Sequence, residues 1–176
     1  MKFCREYARK RFEDAKKRGV ANYGRLGNET RETGEEAHYH GLLAEAALVE
    51  LFAGCDLTWN YYVDAAQVNV RSLPDLVIAG INVDAKAIAI NRHSLLCKKG
   101  TVKPEWAYVL VGVELAPVCH LIGYMWGHGI LKVSPENPRL KRAGHMIHQG
   151  DPRLHDFEKF VDLTGLQVTI PAKNCL

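Results

Sequence analysis

The chain has little of what usually classifies a protein at first sight. Its five cysteines, Cys4, Cys55, Cys97, Cys119 and Cys175, are odd in number, scattered and nowhere spaced as a CxxC pair. That speaks against a disulfide framework and against a cysteine zinc site, and reads as buried or free thiols. No run of roughly 18 apolar residues could span a bilayer, and Met1-Lys2-Phe3-Cys4-Arg5-Glu6 lacks the apolar stretch of a signal peptide. The expectation is an intracellular, cytoplasmic protein with no membrane partner. Neither GxGxxG nor GxxxxGK[ST] occurs, so nucleotide loops of those types are not supported, and Gly127-His128-Gly129 reads as a turn. The pairs His38-x-His40 and His145-x-x-His148 lack a third ligand at a zinc spacing. There is no internal repeat and no low-complexity tract.

What the chain has is enough apolar residue for one core. At 176 residues, 47% hydrophobic and 24% charged, it suits a single domain with extensions. We divide it into a basic helical extension over 1–37, a core over 38–133 and a C-terminal extension over 134–176. The formal net charge of +3 permits nucleic-acid binding without demanding it; clustering matters more. Basic residues crowd the first twenty positions. Arg92, His93, Lys98, Lys99 and Lys103 fill a central segment, and Arg139, Lys141 and Arg142 follow. Each cluster also reads as an ordinary solvated face.

Residues 2 to 18 contain good helix formers and no proline, which predicts a basic helix ending at Gly19. Asn22 to Glu36 reads as a loop. A second helix is expected from about His38 to Ala53, apolar nearly all round and therefore buried on most sides. Glu45 and Glu50 are the charges in its apolar segment, about 140° apart at 100° per residue. Glu45 is the better candidate for an inward role because Leu42, Ala46, Val49 and Phe52 surround it, with Glu50 held in reserve. Strands are then expected at Leu57 to Val63, Leu73 to Ala79, Ile81 to Ile90, Trp106 to Glu114 and Val118 to Met125. Gly80 and Asn82 mark a tight hairpin. A loop should fill Asn91 to Glu105. A short helix near Leu154 to Val161 and a strand at Leu166 to Ile170 complete the expectation. Trp59, Tyr61 and Tyr62 could stack on bases, although aromatics in a strand more often pair across it or fill a core.

The chemistry-bearing segment is Pro74-Asp75-Leu76-Val77-Ile78-Ala79-Gly80-Ile81-Asn82-Val83-Asp84-Ala85-Lys86. Alternate strand residues share a face, so Asp84 and Lys86 point the same way, and the hairpin returns Asp75 alongside them. Two carboxylates about 4 Å apart repel by roughly 4 kcal/mol at an effective dielectric of 20. One Lys offsets one charge, whereas a divalent cation offsets both. Alternatively, Asp84 and Lys86 form an exposed ion pair worth about 0 to 1 kcal/mol and Asp75 caps a strand.

These residues resemble the PD-(D/E)XK nuclease superfamily, which includes many restriction endonucleases, Holliday-junction resolvases and phage recombination nucleases. Pro74-Asp75 matches the first half of the motif and Asp84-Ala85-Lys86 the second; Glu45 matches the helical acid. The order of a helix followed by a three-stranded meander is that family's, and the likeness covers roughly residues 38 to 125 by element order. The resemblance implies an α/β domain with a mixed sheet, a restriction-endonuclease-like core and a Mg²⁺- or Mn²⁺-dependent nuclease acting on DNA. Phage or mobile-element recombination and repair is the implied context, with a homodimer as a common arrangement. Asp75, Asp84, Glu45 and the Ala85 carbonyl would hold the metal. Lys86 would position or deprotonate the attacking water, or stabilise charge on the phosphate. Arg92, His93, Lys98, Lys99 and Lys103 would contact the DNA backbone. The Gln-containing motif of the RecB-like branch has no match.

Overall fold

The computed structural model describes residues 2–17, 34–61, 73–89, 94–98, 100–113, 118–133, 144–148 and 151–166. Among them, helices α1 (Lys2–Lys17) and α2 (Gly34–Leu51) precede strands β1 (Leu57–Trp59), β2 (Leu76–Ile78), β3 (Ile81–Ala89), β4 (Ser94–Lys98), β5 (Ala107–Val113) and β6 (Cys119–Trp126). The short helix α3 (Gly127–Leu131), strand β7 (Gly144–His148) and helix α4 (Phe157–Thr164) follow. No helix among the described residues is long and apolar enough to cross a membrane.

The expected α/β architecture with a mixed sheet is present. Five strands run in the order β1-β2-β3-β5-β6, antiparallel except for the parallel pair β3 and β5. Strand β5 is buried at every position, which explains its unbroken run Ala-Tyr-Val-Leu-Val-Gly-Val: a strand covered on both faces has no use for alternation. The β2–β3 hairpin turns through Ala79 and Gly80, both at positive φ (49° and 78°). This is the backbone twist that two-residue hairpins require, easy for Gly and strained for Ala.

Three expectations need correction. Gly34, Glu35 and Glu36 belong to α2 rather than to a loop; two acids in the first turn suit the positive end of the helix dipole. Residues 94–98 of the supposed central loop form β4, paired antiparallel with β7 from Ser94 opposite His148 to Lys98 opposite Gly144. Gly127-His128-Gly129 opens α3 and is not a free turn. The Gly127 N–H donates to the Trp106 carbonyl, and a Cβ there would lie 1.8 Å from the Lys103 carbonyl oxygen, so only glycine fits. The expected strand at 166–170 lies outside the described residues beyond Leu166, as do 22–33 of the expected loop.

The register sorts residues into two faces. Trp59, Leu76, Val83, Ala107 and Trp126 stand opposite one another in a single row across the sheet. That row packs under the helices, in a core that includes Leu42 and Leu48 of α2, Phe52 just beyond it, and Phe157 and Phe160 of α4. In the next row Asp84, Tyr108 and Met125 face the other way, with Ile88 and Leu110. This second face is covered by Cys97, Ile130 and Ile147, from β4, α3 and β7.

Candidate active site

The β2–β3 ladder ends where Leu76 meets Val83. One step further along the same register, Asp75 comes opposite Asp84. Having left the ladder, Asp75 turns its carboxylate into the gap between the strands, where Oδ2 accepts the Ala85 N–H at 3.0 Å. Extended backbone presents a residue's N–H and C=O along the same strand edge, so the Ala85 carbonyl also lies on the edge facing Asp75. Asp75 is further fixed through its main chain, whose carbonyl accepts the Asn60 N–H at 2.8 Å; the Asn60 side-chain amide donates to the Pro74 carbonyl at 2.8 Å.

Asp75 and Asp84 are within side-chain hydrogen-bond reach of each other, and Lys86 donates to Asp84 Oδ1. Burial, and then the charges of Asp84 and Glu45, push the Asp75 carboxyl well above its ordinary range, although Lys86 pulls the other way. Desolvation on its own would lower Lys86. The neighbouring Asp84 and Asp75 carboxylates together outweigh it and hold the ammonium above its usual range. The group remains open to solvent: the side chains of Asp84 and Lys86 keep 18% and 32% of their exposure.

The surroundings add two residues that sequence reasoning missed. Tyr108, opposite Asp84 on β5, places its ring 5.9 Å from Lys86 Nζ and accepts the Lys103 N–H on its hydroxyl at 2.8 Å. Burial pushes its phenol up to about 12, so it is a neutral hydrogen-bonding group at physiological pH. Cys97 on β4 is buried where the charges of Lys86 and Asp84 reach it, and its thiol is pushed up to about 12, chiefly by burial. Neither was legible, because the parallel β3–β5 register and the existence of β4 are long-range facts.

Glu45 is placed differently. It is only 2% exposed, which distinguishes it from the exposed Glu50 as the sequence suggested. Both its oxygens are occupied: Arg11 of α1 grips it with Nη1 to Oε1 at 2.8 Å and Nη2 to Oε2 at 3.2 Å, while the Trp59 indole N–H donates to Oε2 at 2.8 Å. Arg11 is itself anchored, donating from Nε to the Tyr61 carbonyl at 2.8 Å. Glu45 lies on the helical side of the sheet and acts on Asp75 through its charge, whereas Asp84 and Lys86 project from the opposite face. Among the described residues, no group of three or more His, Cys, Asp or Glu side chains is arranged to hold a metal ion.

Of the expected backbone-contacting residues, Lys103 stands next to the cluster through its main-chain bond to Tyr108. Lys98 ends β4 rather than lying in a loop. Arg92, His93 and Lys99 lie outside the described residues. His145 is buried with Nδ1 2.9 Å from the Val133 carbonyl, a packed histidine rather than half of a zinc pair. The chain matches no family model, no curated protein and no solved structure.

Proposed function

We propose that the chain is a Mg²⁺- or Mn²⁺-dependent nuclease hydrolysing phosphodiester bonds in DNA, an endonuclease of phage or mobile-element recombination or repair. The observation that supports it is the meeting of Asp75, Asp84 and Lys86 at the open end of the β2–β3 hairpin. The two acids cannot both ionise beside Lys86 alone: without a cation Asp75 is held toward its protonated form, and a divalent cation would take the place of that proton and let both carboxylates ionise. Mg²⁺ commonly binds through one or two carboxylates, completing its shell with water and substrate phosphates, so the pair fits that ion without a third acid.

Asp75 and Asp84 would hold the cation, with the Ala85 carbonyl on the same strand edge. When bound, it would supply Lewis-acid stabilisation of the phosphate and a more acidic water. Lys86, kept charged by both carboxylates, is suited to steadying the anionic phosphate oxygens rather than to removing a proton. Tyr108 is suited to fixing Lys86 and the Lys103 loop in place. Glu45 is a positioning residue in this reading: its charge opposes ionisation of Asp75 from across the sheet. Two copies would be needed for one site to act on each strand of a duplex.

The engagement of Glu45 by Arg11 favours one alternative, a DNA-binding or assembly module that has kept this fold without turnover. Cleavage of linear, circular and branched DNA in Mg²⁺ separates the two. Asp84→Ala and Lys86→Ala are each expected to reduce the rate by about 100-fold or more with an unchanged circular-dichroism spectrum. Undiminished cleavage by both variants would refute the enzyme, and no cleavage by the wild type would leave the module.

A further inference from the structure

Helix α1 enters the proposed chemistry only through Arg11, which holds Glu45, yet it carries a concentration of basic residues. Over Lys2–Lys17 it carries seven Lys and Arg against three Asp and Glu, a net of +4, while the whole chain carries +3. The rest of the chain therefore sums to −1 although it contains the separate cluster Lys98, Lys99 and Lys103, so α1 is one of the chain's basic concentrations rather than the sole one. On the side of the helix that carries Phe3 and Tyr7, Lys10 holds its ammonium 4.5 Å from the Tyr7 ring and 2.9 Å from Glu6 with 43% of its side chain in solvent, whereas Arg5 and Arg9 lie on the opposite side and Arg5 stacks on Tyr39.

Four rings gather at the N-terminal end of the same helix. Phe3 lies 4.6 Å from Tyr7, 5.5 Å from Trp59 and 5.1 Å from Tyr61, centroid to centroid; Tyr7 is 4.9 Å and Trp59 5.2 Å from Tyr61. Packing of α1 on β1 accounts for the half-buried Tyr7, Trp59 and Tyr61. It does not account for Phe3, which keeps 39% of its surface in solvent on top of the other three. An exposed ring backed by three others is a rigid face at little entropic cost.

The cluster is also continuous with the acids. Trp59 donates to Glu45, and the next residue, Asn60, bonds through its main chain to Asp75. We propose that the ring cluster capped by Phe3, together with the basic surface of α1, is a stacking platform for unpaired bases of single-stranded DNA. Every base has a π-face, and cations beside a ring follow the phosphates, so such a surface favours single strands over duplex without reading sequence. The platform lies on the helical side of the sheet and meets the proposed site at its edge, where Asn60 bonds to Asp75; this extension rests on the nuclease reading and narrows the substrate to DNA with a single-stranded arm, gap or end.

The test is binding by the full chain in EDTA, where cleavage plays no part, so its failure leaves the nuclease reading standing. Fluorescence anisotropy is read with labelled oligodeoxythymidine of about 15 nucleotides and a duplex of equal length. Phe3→Leu keeps apolar packing and removes the ring; it is expected to weaken oligodeoxythymidine binding about tenfold with little change on duplex, and Phe3→Trp to restore it. Lys10→Gln should instead flatten the salt dependence for both DNAs. Equal binding of single strands by wild type and Phe3→Leu would overturn the platform, making the rings a packing cluster alone. So would retention on phosphatidylserine vesicles with none on oligodeoxythymidine.

Discussion

Two acids, Glu45 buried and Asp75 half-buried, are treated in opposite ways. Glu45 sits on the helical side of the sheet with both oxygens taken by Arg11 and Trp59. Asp75, in the gap between β2 and β3, is opposed by Asp84 and by Glu45, and Lys86 only partly relieves it. The first is a completed ion pair that ties α1 to α2; the second is an incomplete one that still calls for positive charge. Burial of a carboxylate alone therefore says little about function, whereas like charges crowded together make a candidate.

The largest expected effect attacks the completed pair. Arg11→Ala leaves Glu45 buried with one donor, and breaking a buried pair costs about 3 kcal/mol at a partly exposed partner, lowering the melting temperature by roughly 6 to 12 °C. A drop under 2 °C would show that Glu45 is solvated, and the contrast would dissolve.

The incomplete pair should respond with the opposite sign. The folded-state pKa of Asp75 is raised, so its contribution to stability is full below the ordinary carboxyl range and is lost as pH rises through the raised value. In EDTA the wild type should lose melting temperature from mildly acidic to neutral pH, and Asp75→Asn should flatten that loss and gain about 1 kcal/mol at pH 7. Magnesium titrated by thermal shift should stabilise the wild type and not Asp75→Asn. Destabilisation by Asp75→Asn at pH 7 would show the acid to be structural after all.

The smallest effect sharpens the comparison by leaving both acids alone. Ala79→Gly relieves the positive φ of the hairpin turn and should add at most about 1 kcal/mol, read as a small rise in urea midpoint. A loss of stability would mean that the extra unfolded-state entropy of glycine outweighs the relieved strain.

Much of the core was legible because it is local. The Pro74-to-Lys86 hairpin, with Gly80 at its turn, aligns Asp75 and Asp84 through two-residue periodicity alone. The apolar girdle of α2 marked Glu45 as buried. Its partner was hidden: Arg11 lies in a basic helix that reads as solvated, and nothing in the sequence shows that it turns inward toward an acid 34 positions away. Strands β4 and β7 were hidden for a related reason. Ser94–Lys98 is short and set among basic residues, Gly144–His148 lacks alternation, and each acquires its strand only by pairing with the other. Tyr108 needed the parallel β3–β5 register, which no local signal supplies.

Since β4 must wait for β7, roughly fifty residues later, the newborn chain assembles its parts at different times. The β2–β3 hairpin can close in microseconds once it has left the ribosome. Asp75, Asp84 and Lys86 are then together but bare, with water screening their charges. The layer that dries their surroundings arrives only while the final third of the chain is being made, so the environment of these acids is a property of the folded molecule rather than of the motif.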